Sequence, residues 1–277
     1  VFVRTDGITE DHVNGQYNIS GTFSSPNVGQ QTVQVFVTFT SGNYELDSAT
    51  PSFTATISKA PASVLSVDTI NEREYDGTTR IEVYYVTLDV IDTDRDYVDV
   101  MRPSGKLYGD LPASKVGEYT EVFFNTKLTL KGTNLGDRSG NYDFTPPTEA
   151  VPIRHTDGSG NVTEITKATP KLDPPPKASA ITFGQTLKES KLDASGTTVT
   201  GVKGEDGLPI TLTDGEYAWK EPDTKPASAG NHSAIFLYTP STDNAVNYRT
   251  AEPTVLVEVK KAIPKVESSL LISLKRA

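Results

Sequence analysis

Residues 27–60 read NVGQQTVQVFVTFTSGNYELDSATPSFTATISKA, and the pattern in that stretch returns twice. The second copy opens KVGEYTEVFFNTKLTLKGTNLGDRSGNYDF at Lys115 and closes on EITKA at Ala168. The third reads SAGNHSAIFLYTPSTDNAVNYRTAEPTVLVEVKKA and closes at Ala262. Each copy holds a Gly after a small apolar residue, a β-rich run, an Asn-Tyr pair, a second β-rich run and a final Lys-Ala. In the first copy Val33, Val35, Val37 and Phe39 alternate with Thr32, Gln34, Thr38 and Thr40, and Phe36 is the one apolar residue on the polar face. Ser52–Ser58 alternates again, with Phe53, Ala55 and Ile57 on one side. Helical periodicity is absent. The cassette therefore predicts the last two strands of a β module, with the Asn-Tyr pair in the loop between them and Lys-Ala at the junction to the next.

Working outward, the cassette ends divide the 277 residues into modules of about 100 residues, an ordinary domain size. The expected organisation is 1–60 as the C-terminal part of a truncated module, 61–168 and 169–262 as complete modules, and 263–277 as a tail opening a further one. The tail IPKVESSLLISLKRA resembles PASVLSVDTI after Ala60 and TPKLDPPPKAS after Ala168. Tyr17–Phe23 adds a third strand to the first module. Three strands cannot close a sandwich, so an exposed edge is expected there. Leu172–Ser179, with three consecutive prolines, reads as a semi-rigid spacer.

Composition excludes several classes. The chain has no Cys, which removes disulfide frameworks, thiol nucleophiles and Cys-ligated zinc. A formal charge of −10 argues against nucleic acid or an anionic membrane as partner. No stretch reaches the roughly 18–20 apolar residues of a membrane span, and no nucleophile-elbow, P-loop or dinucleotide fingerprint is present. His12, His155 and His232 fall in separate segments without metal-ligand spacing and are expected to be solvated or corner residues.

Tyr75-Asp76-Gly77-Thr78-Thr79 places an Asp-Gly turn before a β run with Ile81, Val83 and Tyr85 on one side. These residues, with Gly109-Asp110 and Val116-Gly117 downstream, resemble the bacterial YDG repeat, an immunoglobulin-like module found in tandem in large surface proteins. The segment departs from that pattern in an Asp-rich middle, LDVIDTDRDYVDV (88–100), and in an extra hairpin-like segment at HTDGSGN (155–161). Residues 169–262, with ITFGQTLKESKL and GEYAWKEP, resemble another bacterial immunoglobulin-like module. The resemblance implies tandem immunoglobulin-like β-sandwiches, extracellular, at a bacterial cell surface or secreted. After Gly117, Val122, Phe124, Leu128 and Leu130 share a face, as in one central strand. Tyr119, two residues past Gly117, stands where immunoglobulin-like sandwiches place a Tyr that bonds back to the backbone. Its counterparts are Gln31 and His232, so the corner is expected to be partial.

Three candidate chemistries remain. Asp92, Asp94 and Asp96 form an Asp-x-Asp-x-Asp run suited to the oxygen chemistry of calcium, the one cofactor the sequence suggests. Tyr97 and Pro103 occupy the positions of the EF-hand glycine and glutamate, so the alternative is a solvated acidic loop. Tyr217 and Trp219 alternate toward one side of a strand, a carbohydrate platform if exposed and core if not. Lys59, Lys167 and Lys261 recur with Asn43, Asn141 and Asn247, as in surface modules that join Lys to Asn by an internal amide. The buried acid this needs does not recur, since Glu45, Asp143 and Arg249 follow the Asn-Tyr pairs. The reading is a non-catalytic stalk segment supporting adhesion to an unidentified surface ligand or glycan, with neighbouring repeats as its partners. The alternatives are a glycan-binding module or an accessory region of a large secreted enzyme.

Overall fold

A computed structural model describes residues 17–40, 42, 44–45, 52–204 and 207–265. It is an all-β protein of several small sheets joined by loops and short 3-10 turns. The chain forms two compact units, one of residues 1–68, 83–107 and 123–152 and the other of 69–82, 108–122 and 153–277.

In the first unit, Tyr17–Phe23, Gly29–Phe39 and Ser52–Ile57 make an antiparallel sheet. Its register puts Ile19 opposite Val37, Phe23 opposite Val33, and Val33 opposite Phe53. The expected alternation holds: Val33 is buried and Val35, Val37 and Phe39 are half-buried, while Phe36 faces solvent. Ile19 and Phe53 stay 56% exposed on the apolar face of these three strands. Ala60–Thr69 follows directly and pairs in parallel with Tyr142–Phe144, Tyr142 lying opposite Ala60. These two share a sheet with Arg80–Asp89, of which residues 83–89 belong to this unit.

Arg80–Asp89 corrects one sequence expectation. Ile81 and Val83 are buried, but Tyr85 is 64% exposed and burial resumes at Leu88 and Val90. The inward phase slips beyond Val83, whose carbonyl accepts a 2.9 Å bond from the Arg102 guanidinium. The run after Gly117 is corrected too. Val122 and Leu128 are buried as expected, yet the backbone breaks into Gly117–Tyr119, Glu121–Val122 and Leu130–Gly132 rather than one strand.

The second unit holds a sheet of Glu72–Glu74, Thr163–Thr166 and Gly117–Tyr119. It also holds a four-stranded sheet in the order Ile181–Thr182, Thr254–Lys260, Gly230–Thr239, Glu216–Trp219. Ile181, Leu187, Trp219, Phe236, Val257 and Val259 form its core. The triple proline lies inside this fold. Lys171–Asp173 pairs with Thr198–Lys203, Lys177–Ala178 pairs with Leu192–Asp193, and Pro176 between them is fully buried. Prolines lack the N–H a ladder needs, so here they release an edge strand from one partner and hand it to another. They do not act as a spacer.

The cassette has one register in all three copies: Gly29 lies opposite Ile57, Gly117 opposite Ile165 and Gly230 opposite Val259. Each glycine thus faces the residue three before the closing Ala. Residues 261–265 carry no strand, and the rest of the tail lies outside the described residues.

Phe236 is fully buried, so Phe236→Ala is expected to cost about 3–5 kcal/mol in urea unfolding. Leu256→Ala, on the adjacent strand but 64% exposed, is expected to stay within about 0.5 kcal/mol.

Candidate functional site

The site is built on the turn that opens each cassette. Gly29, Gly117 and Gly230 have φ of 113°, 153° and 129°, a region that favours glycine. Four residues after the start of each turn, a side chain bonds back to a main-chain carbonyl. Gln31 Nε2 donates to Asn27 O at 3.0 Å, Tyr119 Oη to Lys115 O at 2.6 Å, and His232 Nε2 to Ser228 O at 2.7 Å. The corner expected of Tyr119 alone is therefore made by three different side chains. A carbonyl only accepts, so His232 carries a proton on Nε2.

That carbonyl shares a peptide plane with the next residue's N–H. In a trans peptide the two point in opposite directions, so clamping the C=O inward aims the N–H outward. Val28 N donates to Asn141 Oδ1 at 3.0 Å, and Val116 N donates to Asn247 Oδ1 at 3.1 Å. Both acceptors belong to the Asn-Tyr pair of the following cassette. Asn141 also donates from Nδ2 to Asn27 Oδ1 at 3.2 Å, a bond an Asp at 141 could not make. Asn43, the first member of the series, lies outside the described residues.

The tyrosines beside these asparagines are buried, Tyr142 and Tyr248 each at 4% exposure. Tyr142 pairs in parallel with Ala60, and Tyr248 with Ala168. Around Tyr248, Ala168 N donates to Asn247 O at 3.0 Å and Arg249 N donates to Ala168 O at 2.9 Å. Each phenol oxygen accepts a backbone amide, Ile91 N at 3.3 Å and Val202 N at 3.1 Å. The residue after each tyrosine reaches an opposite charge: Asp143 lies 3.9 Å from Lys59, and Arg249 pairs with Glu74 and donates to Thr169 Oγ1 at 2.6 Å. These ion pairs are exposed and contribute little energy, but their opposite polarity makes the two joints chemically distinct.

The Tyr75-Asp76-Gly77 turn belongs to the same site. Tyr75 meets Tyr248 edge-on at 5.6 Å between ring centroids. Gly77 has φ of 82°, and a Cβ there would stand 2.9 Å from Lys203 O. Asp76 Oδ1 accepts from Thr78 N and Oγ1, both at 2.9 Å, and pairs with Arg73 at 2.6 Å. Thr79 Oγ1 donates to Asp110 at 2.8 Å. Tyr75, Ala168, Val199, Val202, Tyr238 and Tyr248 belong to one apolar cluster.

The remaining predicted site residues fall elsewhere. Asp92–Tyr97 is a 3-10 turn. Asp94 points inward to Arg138 Nη1 at 2.5 Å and Tyr142 Oη at 2.8 Å, Asp92 pairs with Arg95 at 2.9 Å, and Asp96 is exposed. The three carboxylates diverge, and among the described residues no three His, Cys, Asp or Glu side chains are grouped to hold a metal. Trp219 is buried, and its Nε1 donates to Ser190 O at 2.7 Å. Tyr217 is half-buried against Phe236 and Tyr238. The indole is thus a core residue rather than an exposed sugar platform, because its N–H is committed inside. His155, expected to be solvated, is buried, with Nε2 2.6 Å from Val162 O. Residues 155–161 form a loop whose closing bond is His155 N to Gly160 O at 3.1 Å, without the flanking strand pair of a hairpin. Lys59 and Lys167 are exposed, and Asn141 and Asn247 are engaged as above. No helix among the described residues is long and apolar enough to cross a membrane. No protein-family model and no curated protein matches the chain.

Burial pushes the Asp94 carboxyl up, but the hydrogen bonds from Arg138 and Tyr142 outweigh it and hold it below the ordinary value. Burial, and then the bond to Asp94, push the Tyr142 phenol up to about 12. A raised phenol value contributes stability that is complete below the unfolded value of about 10 and is lost as pH climbs toward the folded value. The depressed Asp94 contributes above about pH 3.9 and loses its share as pH falls below that. Tyr142→Phe should therefore flatten the decline in melting temperature between about pH 10 and 12; an unchanged slope would detach Tyr142 from that loss. For the corner, His232→Gln is expected to preserve stability, since Gln31 makes the same bond in the first copy. His232→Ala should cost about 0.5–1.5 kcal/mol by chemical denaturation.

Proposed function

We propose that this chain is a non-catalytic stalk segment built from tandem immunoglobulin-like β-sandwiches of a bacterial cell-surface or secreted protein. In this reading 61–168 and 169–262 are repeats, and the array supports adhesion. The observation that carries the reading is the repeated latch, Val28 to Asn141 and Val116 to Asn247. Both bonds join one cassette's corner to the next cassette's Asn-Tyr pair with the same atoms. A passive string of beads has no need of this.

The mechanism is geometric. Each joint combines a side-chain-to-amide bond, a buried tyrosine paired to the junction alanine, and one exposed ion pair. Bending the joint has to break backbone-directed bonds near buried apolar surface, so the chain resists it. The side chains that recur are spent on main-chain groups, which favours support over catalysis. The YDG resemblance, whose turn packs against Tyr248, supports placement in surface proteins of this kind.

Trypsin reads the joints directly. Lys59-Ala60 and Lys167-Ala168 lie at the latched joints, whereas Lys261-Ala262 is an exposed reference. Asn141→Ala with Asn247→Ala is expected to speed cleavage at the first two sites about fivefold, the equivalent of ~1 kcal/mol lost from local closure. Cleavage at Lys261 should stay constant. Unchanged rates at Lys59 and Lys167 would show that the asparagines do not hold the joints closed.

A further inference from the structure

The third corner repeats the geometry of the first two. Ser228 O is clamped by His232, Gly230 has φ of 129°, and Gly230 faces Val259, three residues before Ala262. The Ala229 N–H therefore stands to Ala262 as Val28 N–H stands to Ala60 and Val116 N–H to Ala168. At the inner joints the alanines are covered: Ala60 is half-buried opposite Tyr142, and Ala168 is 4% exposed opposite Tyr248. Ala262 is exposed, and Ile263 beside it is 94% exposed.

We infer that the Ser228–Ala229 peptide and the Lys261–Ala262 step form a receiving edge for the Asn-Tyr segment of a further repeat. The inference rests on the tandem reading above. The incoming asparagine Oδ1 accepts from Ala229 N–H, and the incoming strand adds in parallel to Ala262. Strand addition of this kind draws its affinity from main-chain bonds and its selectivity from flanking side chains. Here the flanking group is Lys261, which stands where Lys59 stands opposite Asp143. The fitting occupant therefore carries an acid after its tyrosine, as Asn141-Tyr142-Asp143 does. An Asn-Tyr-Arg segment such as 247–249, whose Arg is taken up at the second joint by Glu74 opposite Thr166, fits less well, because Thr182 stands in Glu74's place opposite Lys260.

The test compares the native chain with one lengthened after Ala262 by a second copy of residues 61–168, following amide hydrogen exchange by NMR. Exchange at Ala229 is expected to slow at least tenfold on lengthening. The Asn→Ala change at the added copy's equivalent of Asn141 should restore the native rate. A second chain, lengthened by a copy of 169–262, guards against a copy that does not fold, and should show weaker slowing. Native-rate exchange at Ala229 in both lengthened chains would overturn the inference. Val116 in the native chain separates the two levels. A slow Val116 amide released by Asn247→Ala, beside a fast Ala229, defeats only the receiving edge. A Val116 amide that is fast in the native chain defeats the tandem joint itself.

Discussion

A single peptide plane, bonded on both sides, is the constraint on which the joints depend. At Asn27–Val28 and Lys115–Val116, a side chain of the same cassette holds the carbonyl and an asparagine of the next holds the amide. Bonding one end of an amide polarises the other, so the two bonds reinforce each other. The positive-φ glycine after the plane turns the chain into the strand that starts opposite the end of the closing run. Corner, register and latch are thus one construction, and moving any part moves the others.

Chemical variation within that construction is informative. Gln, Tyr and His share no charge, size or apolarity, yet all three place a donor at the same carbonyl. The position demands reach and a proton, not a particular ring. The asparagine position is stricter, since its side chain accepts from one group and, at Asn141, donates to another. Beyond the tyrosine the sequence changes most freely, and there the joints differ in the sign of their ion pairs.

Much of this was legible in the residues. Period-two alternation located Gly29–Phe39 and Thr254–Lys260, because each has one wetter face. Recurrence of Val-Gly, Asn-Tyr and Lys-Ala marked the elements of the site. The bonds among them were not legible, since Asn141 lies 113 residues from Val28 and Asn247 lies 131 from Val116. The full corner is not legible from residue type, because Gln31, Tyr119 and His232 have in common only the position of a donor. Tyr85 left its expected face where Arg102 takes the Val83 carbonyl, a contact 19 residues away. Pro174–Pro176 looked like a spacer because local stiffness does not reveal that Pro176 is buried in a core. Asp94 looked like a ligand because its partners, Arg138 and Tyr142, are distant in sequence.

Everything in the joint rests on two asparagine side chains binding two specific backbone amides. Through-hydrogen-bond NMR couplings between a backbone nitrogen and a side-chain carbonyl carbon report such bonds one at a time. Correlations are expected from Val28 nitrogen to the Asn141 side-chain carbonyl and from Val116 nitrogen to that of Asn247. If both amides coupled instead to other carbonyls, or to none while their neighbours in the strands showed theirs, the joint described here would be contradicted.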